Sequence, residues 1–178
     1  HYGACAVLCT ATQPALDPIV RSFAPELSQE ELCPMADVDW EAFRRVTFRR
    51  AGRLDRDALA AQLQAHGQVL CIVNTRKSAR EVFNRLQGEG NFHLSTLMYP
   101  AHRRAVLDEV RRRLREGQTC RVVSTSLIEA GVDVDFPALY REEAGLDSML
   151  QAAGRCNREG RRAPEESAVV LFQGEGRP

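Results

Sequence analysis

The chain has 178 residues, 44% hydrophobic and 27% charged, with 24 basic side chains balanced by 24 acidic ones. These are the proportions of a soluble globular protein of one domain, and no apolar run approaches the roughly 20 residues of a membrane helix, so a cytoplasmic protein without a membrane partner is expected. Zero net charge argues against a general nucleic-acid coat but leaves room for a local groove lined by arginine, which accounts for every basic residue except Lys77.

The start, HYGACAVLCTATQPALDP, has a short apolar run over 4–9 that ends in Thr10-Ala11-Thr12, after which Pro14 and Pro18 break the chain. With no Met, and a strand almost at once, it reads as a segment of a longer protein. Residues 22–40 are acidic and punctuated by proline, hence loop with one helical turn at most. From residue 43 a regular alternation begins. RVTFR (45–49) alternates apolar and polar residues as a strand does. Asp55-Arg56-Asp57 before ALAAQLQAHG predicts an N-capped helix ending before Gly67. VLCIVN (69–74) is the continuous apolar run of a strand buried on both faces. A helix over 77–86, a strand over 93–98 and an arginine-rich helix over 103–115 follow. In that last helix Val106, Leu107, Val110 and Leu114 form one apolar stripe. CRVVS (120–124), ALY (138–140) and AVVLF (168–172) complete the strands. The six cysteines include no Cys-x-x-Cys pair, and Cys71 and Cys120 lie inside apolar runs; reduced, buried thiols are expected, with neither disulfides nor a metal site.

Strands alternating with helices of about ten residues imply an α/β fold of three layers, a mainly parallel sheet with helices on both faces. Ligands of such sheets sit beyond the carboxyl ends of the strands. That rule selects Asn74-Thr75, Thr96 to Pro100 and Ser124-Thr125-Ser126, whose hydroxyls and amide suit phosphate oxygens. Within 146–160, LDSMLQAAGRCNREG, Asp147 is a candidate N-cap. Gln151, Arg155 and Arg158, at i, i+4 and i+7, share a face. Guanidiniums beside an amide can hold a triphosphate and stabilise charge in phosphoryl transfer; a solvated polar face is the plainer alternative. In GVDVDF (131–136), Asp133 and Asp135 fall on one side, suggesting either a metal or a solvated strand edge. Neither a GxxxxGK[ST] loop nor a DExx strand end occurs, so the residues amount to half of a nucleotide site.

Taken together, Thr10-Ala11-Thr12, CIVNTRKSA (71–79), VVSTSLIEAGVDVDF (122–136) and QAAGRCNREGR (151–161) resemble the third, fourth, fifth and sixth motifs of a superfamily 2 helicase. The fuller stretches CTATQPAL, LSTLMYPAHR, STSLIEAGVDVDFP and LDSMLQAAGRCNREG are similar to the helicase–nuclease of type I CRISPR systems, the enzyme that unwinds and degrades invading DNA. The resemblance covers nearly the whole chain.

It implies a second RecA-like domain over 43–178, preceded over 1–42 by a remnant of the first and a linker. Gln151, Arg155 and Arg158 would face the phosphates of ATP across an interdomain cleft, with Arg158 as arginine finger and Gly131 and Asp133 near the nucleotide. Asn74, Thr75, Thr96, Arg103 and Thr125 would touch or flank single-stranded DNA, and Thr10 and Thr12 would couple the two activities. ATP and Mg²⁺ would be bound mainly by the first RecA-like domain, which lies outside the chain together with an HD nuclease domain. The segment alone should therefore be inactive; its further partner would be the crRNA-guided surveillance complex. The alternatives are the second domain of another superfamily 2 helicase and a non-catalytic module that binds nucleic acid.

Overall fold

A computed structural model of the chain describes residues 7–8, 16–27, 30, 32, 39–128 and 132–175. The chain divides into two units, His1–Phe43 and Arg44–Pro178. In the first, helix α1 (Asp17–Phe23) stands where the prolines suggested only a break. Pro18 lies in its first turn, where the missing N–H would have no intrahelical partner anyway. Helix α2 is a single turn, Trp40–Phe43. The expected strand over 4–9 lies outside the described residues except for Val7 and Leu8, which are exposed and in no regular element. Thr10 and Thr12 also lie outside the described residues.

The second unit contains strands β1 (Thr47–Arg53), β2 (Gln68–Ile72), β3 (Asn91–Leu94), β4 (Cys120–Ser124), β5 (Leu139–Glu142) and β6 (Ala168–Gln173). They form one six-stranded sheet in the order β1-β6-β5-β2-β4-β3, every neighbouring pair parallel. Helices α3 (Arg56–Gln64), α4 (Arg76–Phe83), α5 (Pro100–Arg115) and α6 (Leu146–Ala153) cover it. The three-layer α/β architecture expected from the alternation is present, and the sheet is wholly parallel among the described residues.

Why the run at 69–73 is apolar throughout is visible in its packing. Val69, Cys71 and Val73 join Leu59, Leu63, Ala79 and Val82 of α3 and α4 on one face. Leu70 and Ile72 join Leu107 and Val110 of α5 and Ala152 of α6 on the other. A strand residue alternates faces, so a strand covered on both sides has no polar position to spare. Each fully buried Val, Leu or Ile contributes roughly 1.5–3 kcal/mol. Cys71, Cys120 and Cys156 are free and buried, as two of them were expected to be. Burial pushes the thiols of Cys120 and Cys156 up to about 12.

Several boundaries differ from expectation. Strand β1 begins two residues later than the alternation suggested and, as an edge strand, leaves Phe48 half-exposed. Strand β3 ends at Leu94, so Thr96 lies in the turn that follows. Asp55 does cap α3, accepting from Ala58 N at 2.7 Å. Asp147 does not cap α6: that helix starts at Leu146 with Gly145 before it. Among the described residues no helix is long and apolar enough to cross a membrane.

Candidate functional site

Parallel pairing puts the carboxyl ends of all six strands along one edge of the sheet. Strand β2 leads there into Asn74 and Thr75. Thr75 is the N-cap of α4: its Oγ1 accepts from Ser78 N (3.0 Å) and donates to Ser78 Oγ (2.8 Å). Asn74 is anchored at both ends of its amide, donating through Nδ2 to Glu143 O (2.9 Å) and accepting at Oδ1 from Arg141 Nη1 (2.7 Å). Strand β4 leads into Ser124 and Thr125, both buried; Thr125 is only 7% exposed, and its carbonyl accepts from Ser124 Oγ (2.9 Å) and Ile128 N (3.3 Å). Beyond β3, Thr96 is exposed and Arg103 half-buried near the start of α5. The edge thus combines three exposed polar residues, Asn74, Thr75 and Thr96, the first two held by internal bonds, with the buried Thr125.

The second half of the site lies where 132–136 meets 154–162. The expected single helix through Gln151, Arg155 and Arg158 is not formed. Helix α6 stops at Ala153, with Gly154 as its C-cap. The chain then pairs with Phe136: Phe136 N donates to Arg155 O (2.9 Å) and Asn157 N donates to Phe136 O (3.0 Å). Asn157 adopts a left-handed backbone, φ 46°, a conformation asparagine tolerates better than most residues. Gln151 therefore stays on α6, exposed, while both arginines sit on an irregular segment beyond it.

That segment is firmly held. Arg158 N donates to Asp135 Oδ1 (2.7 Å), Arg45 Nη1 donates to Arg158 O, and Arg155 Nε donates to Ile128 O (3.3 Å). The carboxylates of Asp133 and Asp135 meet arginines: Arg158 Nη1 lies 2.9 Å from Asp133 Oδ1, and Arg162 Nη1 lies 3.6 Å from Asp135 Oδ2. In the Arg158–Asp133 pair the two side chains are 43% and 80% exposed. A pair so open to water contributes at most about 1 kcal/mol, and a more highly charged anion can displace the carboxylate. Gly131 lies outside the described residues.

Sequence reading missed two buried polar residues that organise this edge. Arg141, in β5, is 2% exposed and reaches Asn74, Glu142 O (2.9 Å) and Ser148 Oγ (2.8 Å). Asn157 is fully buried and ties Arg45 and Arg162 together. Only Asn157 left a signal: an asparagine two residues past a strand-like partner, in a stretch with Gly154 and Gly160, marks a left-handed turn.

An all-parallel sheet with hydroxyl and amide groups along its carboxyl edge and arginines beyond its last helix defines a RecA-like α/β domain. The crystal structure of T. fusca Cas3 with ADP matches it with a TM-score of 0.62 at 19% identity, over 75% of this chain and 19% of that one. The C-terminal domain of the DEAD-box protein Dbp5 matches with a TM-score of 0.57 at 14% identity, over 75% of this chain and 79% of that one. The family described as CRISPR-associated nuclease/helicase Cas3, C-terminal, matches residues 65–161, more than half of the chain, and the chain belongs to that family. The CRISPR-associated nuclease/helicase Cas3 of Methanothermobacter thermautotrophicus is 33% identical over 92 residues, 51% of this chain and 11% of its own. The CRISPR-associated helicase Cas3 of Thermoproteus tenax is 25% identical over 134 residues, 73% of this chain and 23% of its own. The chain thus spans less than a quarter of each of these two relatives.

Proposed function

We propose that the chain is the C-terminal RecA-like half of an ATP-dependent DNA helicase of type I CRISPR defence, a 3'-5' translocase that carries a nuclease elsewhere in the protein. Membership of the Cas3 C-terminal family supports this. The observation that carries it is Arg158: its backbone is fixed on both sides, yet among the described residues its guanidinium meets only an exposed, displaceable carboxylate. A group so poised is suited to an anion arriving from outside the domain.

In this reading the γ-phosphate end of ATP, presented by a first RecA-like domain, replaces Asp133 on Arg158, while Arg155 and Gln151 orient the phosphates. Gly131 and Asp133 then flank the nucleotide. The donors fit phosphate. Among the described residues no group of three or more His, Cys, Asp or Glu side chains could hold a metal ion, and Mg²⁺ is assigned to the first domain. Asn74, Thr75, Thr96, Arg103 and Thr125 serve single-stranded DNA along the carboxyl edge, and Thr10 and Thr12 link the two events. Residues 1–42 are the tail of the first domain and a linker. The segment alone is inactive, and the whole protein works in the cytoplasm with an HD nuclease domain and a crRNA-guided surveillance complex.

The test is Arg158→Ala in the full-length protein. Both backbone contacts of residue 158 survive the substitution, so the fold should persist. DNA-stimulated ATP hydrolysis should fall by on the order of 10³-fold or more, with single-stranded DNA binding retained. Normal turnover would refute the assignment.

A further inference from the structure

A buried guanidinium in a small domain calls for a reason. Removing an arginine from water costs several kcal/mol, and an apolar side chain of similar volume is often the more stable occupant. Arg141 is nevertheless 2% exposed, on strand β5, where Leu139 and Tyr140 are core residues. The side-chain period of two puts Leu139 and Arg141 on the same face of the sheet, the one α6 covers.

Its fork spans two elements. Nη1 donates to Asn74 Oδ1 (2.7 Å), at the end of β2, and to Glu142 O (2.9 Å); Nη2 donates to Ser148 Oγ (2.8 Å), in the first turn of α6. On the far side Asn74 is bound to the next stretch of chain, through N to Glu142 Oε2 (2.7 Å) and through Nδ2 to Glu143 O (2.9 Å). One planar cation therefore joins a residue of the proposed DNA edge to the helix that carries Gln151 and runs into Arg155 and Arg158. The second Nδ2 hydrogen of the exposed Asn74 can donate to a phosphate oxygen, and doing so pulls on the same amide whose other bonds run to Glu143 and Arg141. Its rearrangement is felt first by Arg141 and then, through the same guanidinium, by Ser148.

We infer that Arg141 is a positioning residue, bridging Asn74 and Ser148 so that occupation of the DNA edge sets the placement of α6 and of the arginines beyond it. The inference rests on the helicase reading of the domain. Arg141 touches neither nucleotide nor DNA; it acts through the two residues it joins.

The experiment uses the full-length protein with oligo-dT, measuring ATP hydrolysis without and with saturating DNA, DNA affinity, and thermal unfolding. Ser148→Ala deletes one end of the bridge and leaves the buried charge in place. It should keep basal hydrolysis, oligo-dT affinity and melting temperature, and lose maximal DNA stimulation by about fivefold or more, the range of an ordinary coupling free energy. Ser148→Thr retains the hydroxyl and should restore stimulation. Arg141→Lys supplies a single point donor in place of the fork and should behave like Ser148→Ala. Full stimulation in Ser148→Ala would overturn the inference, as would a parallel fall of basal and stimulated rates, which marks a merely structural role. If the unsubstituted protein shows no DNA-stimulated hydrolysis, the helicase reading fails, and this inference with it.

Discussion

Replacing Asn157 tests how the arginine-bearing segment is held. Its side chain makes three hydrogen bonds from a fully buried position: Nδ2 to Arg45 O (2.7 Å) and to Arg162 O (2.8 Å), and Oδ1 from Arg162 N (3.0 Å). At roughly 1 kcal/mol each, their loss in Asn157→Ala costs about 3 kcal/mol. Alanine at φ 46° adds about 1–2 kcal/mol of left-handed strain. The sum, about 4–5 kcal/mol, is a large part of the 5–15 kcal/mol that holds a typical domain together. Asn157→Gly removes the bonds but adds no left-handed strain, and should be milder by about 1 kcal/mol. Asn157→Asp keeps the acceptor for Arg162 N but turns a carboxylate oxygen toward two carbonyls, so it should be at least as damaging as the glycine. Urea unfolding followed by circular dichroism, at constant m-value, reads all three. A loss under about 1 kcal/mol in Asn157→Ala, or an aspartate variant more stable than the glycine one, would refute the reasoning.

Two further outcomes follow from the same packing. Gly90, φ 81°, would bring a Cβ to 2.2 Å from the carbonyl oxygen of Thr119, whereas Gly88, φ 78°, has open space at that point. Gly90→Ala should therefore unfold well below Gly88→Ala in a thermal melt, and equal midpoints would contradict the close approach. His66 and His93 are held below their ordinary value of 6.5 by burial first, and then by Arg121 and Arg80 respectively. The unfolded chain then binds protons first as pH falls. Their contribution is complete above about pH 6.5 and is lost on acidification below it. Glu109, held at about 2 by its bonds to Arg112 and Arg113, loses its own contribution only below its ordinary 4.5. Unfolding free energy should thus decline between about pH 7 and 5, and the decline should flatten in the His66→Gln, His93→Gln double variant. A profile that rises toward pH 5 would exclude this.

What the sequence made legible was whatever had a period or a cap. The run at 69–73 announced a doubly covered strand because both of its faces needed apolar residues, and Asp55 announced its helix by the oxygen it offers to Ala58. The site was half legible. Gln151, Arg155 and Arg158 were picked for helical spacing, but Gly154 and the left-handed Asn157 end that spacing, and the arginines owe their places to Phe136, Asp133 and Asp135 instead. Those partners lie some twenty residues away in sequence, and pairing at that range leaves no local pattern. Arg141 was invisible for a related reason. In YREE a charge at the end of a short strand looks like the start of a loop, and only the neighbouring Asn74 and Ser148 turn it into an interior residue.

The place of β6 has a consequence for synthesis. It is the last of the six described strands in sequence, yet it lies between β1 and β5, so β1 lacks this neighbour until residues 168–173 have been made. At the usual pace of translation that leaves β1 waiting for on the order of ten seconds, an unpaired strand on a growing chain. Its sequence, TFRRAGR, is suited to the delay: three arginines and a glycine make it a poor template for another chain. The same charges that keep the edge soluble in the finished domain would guard it while it is still alone.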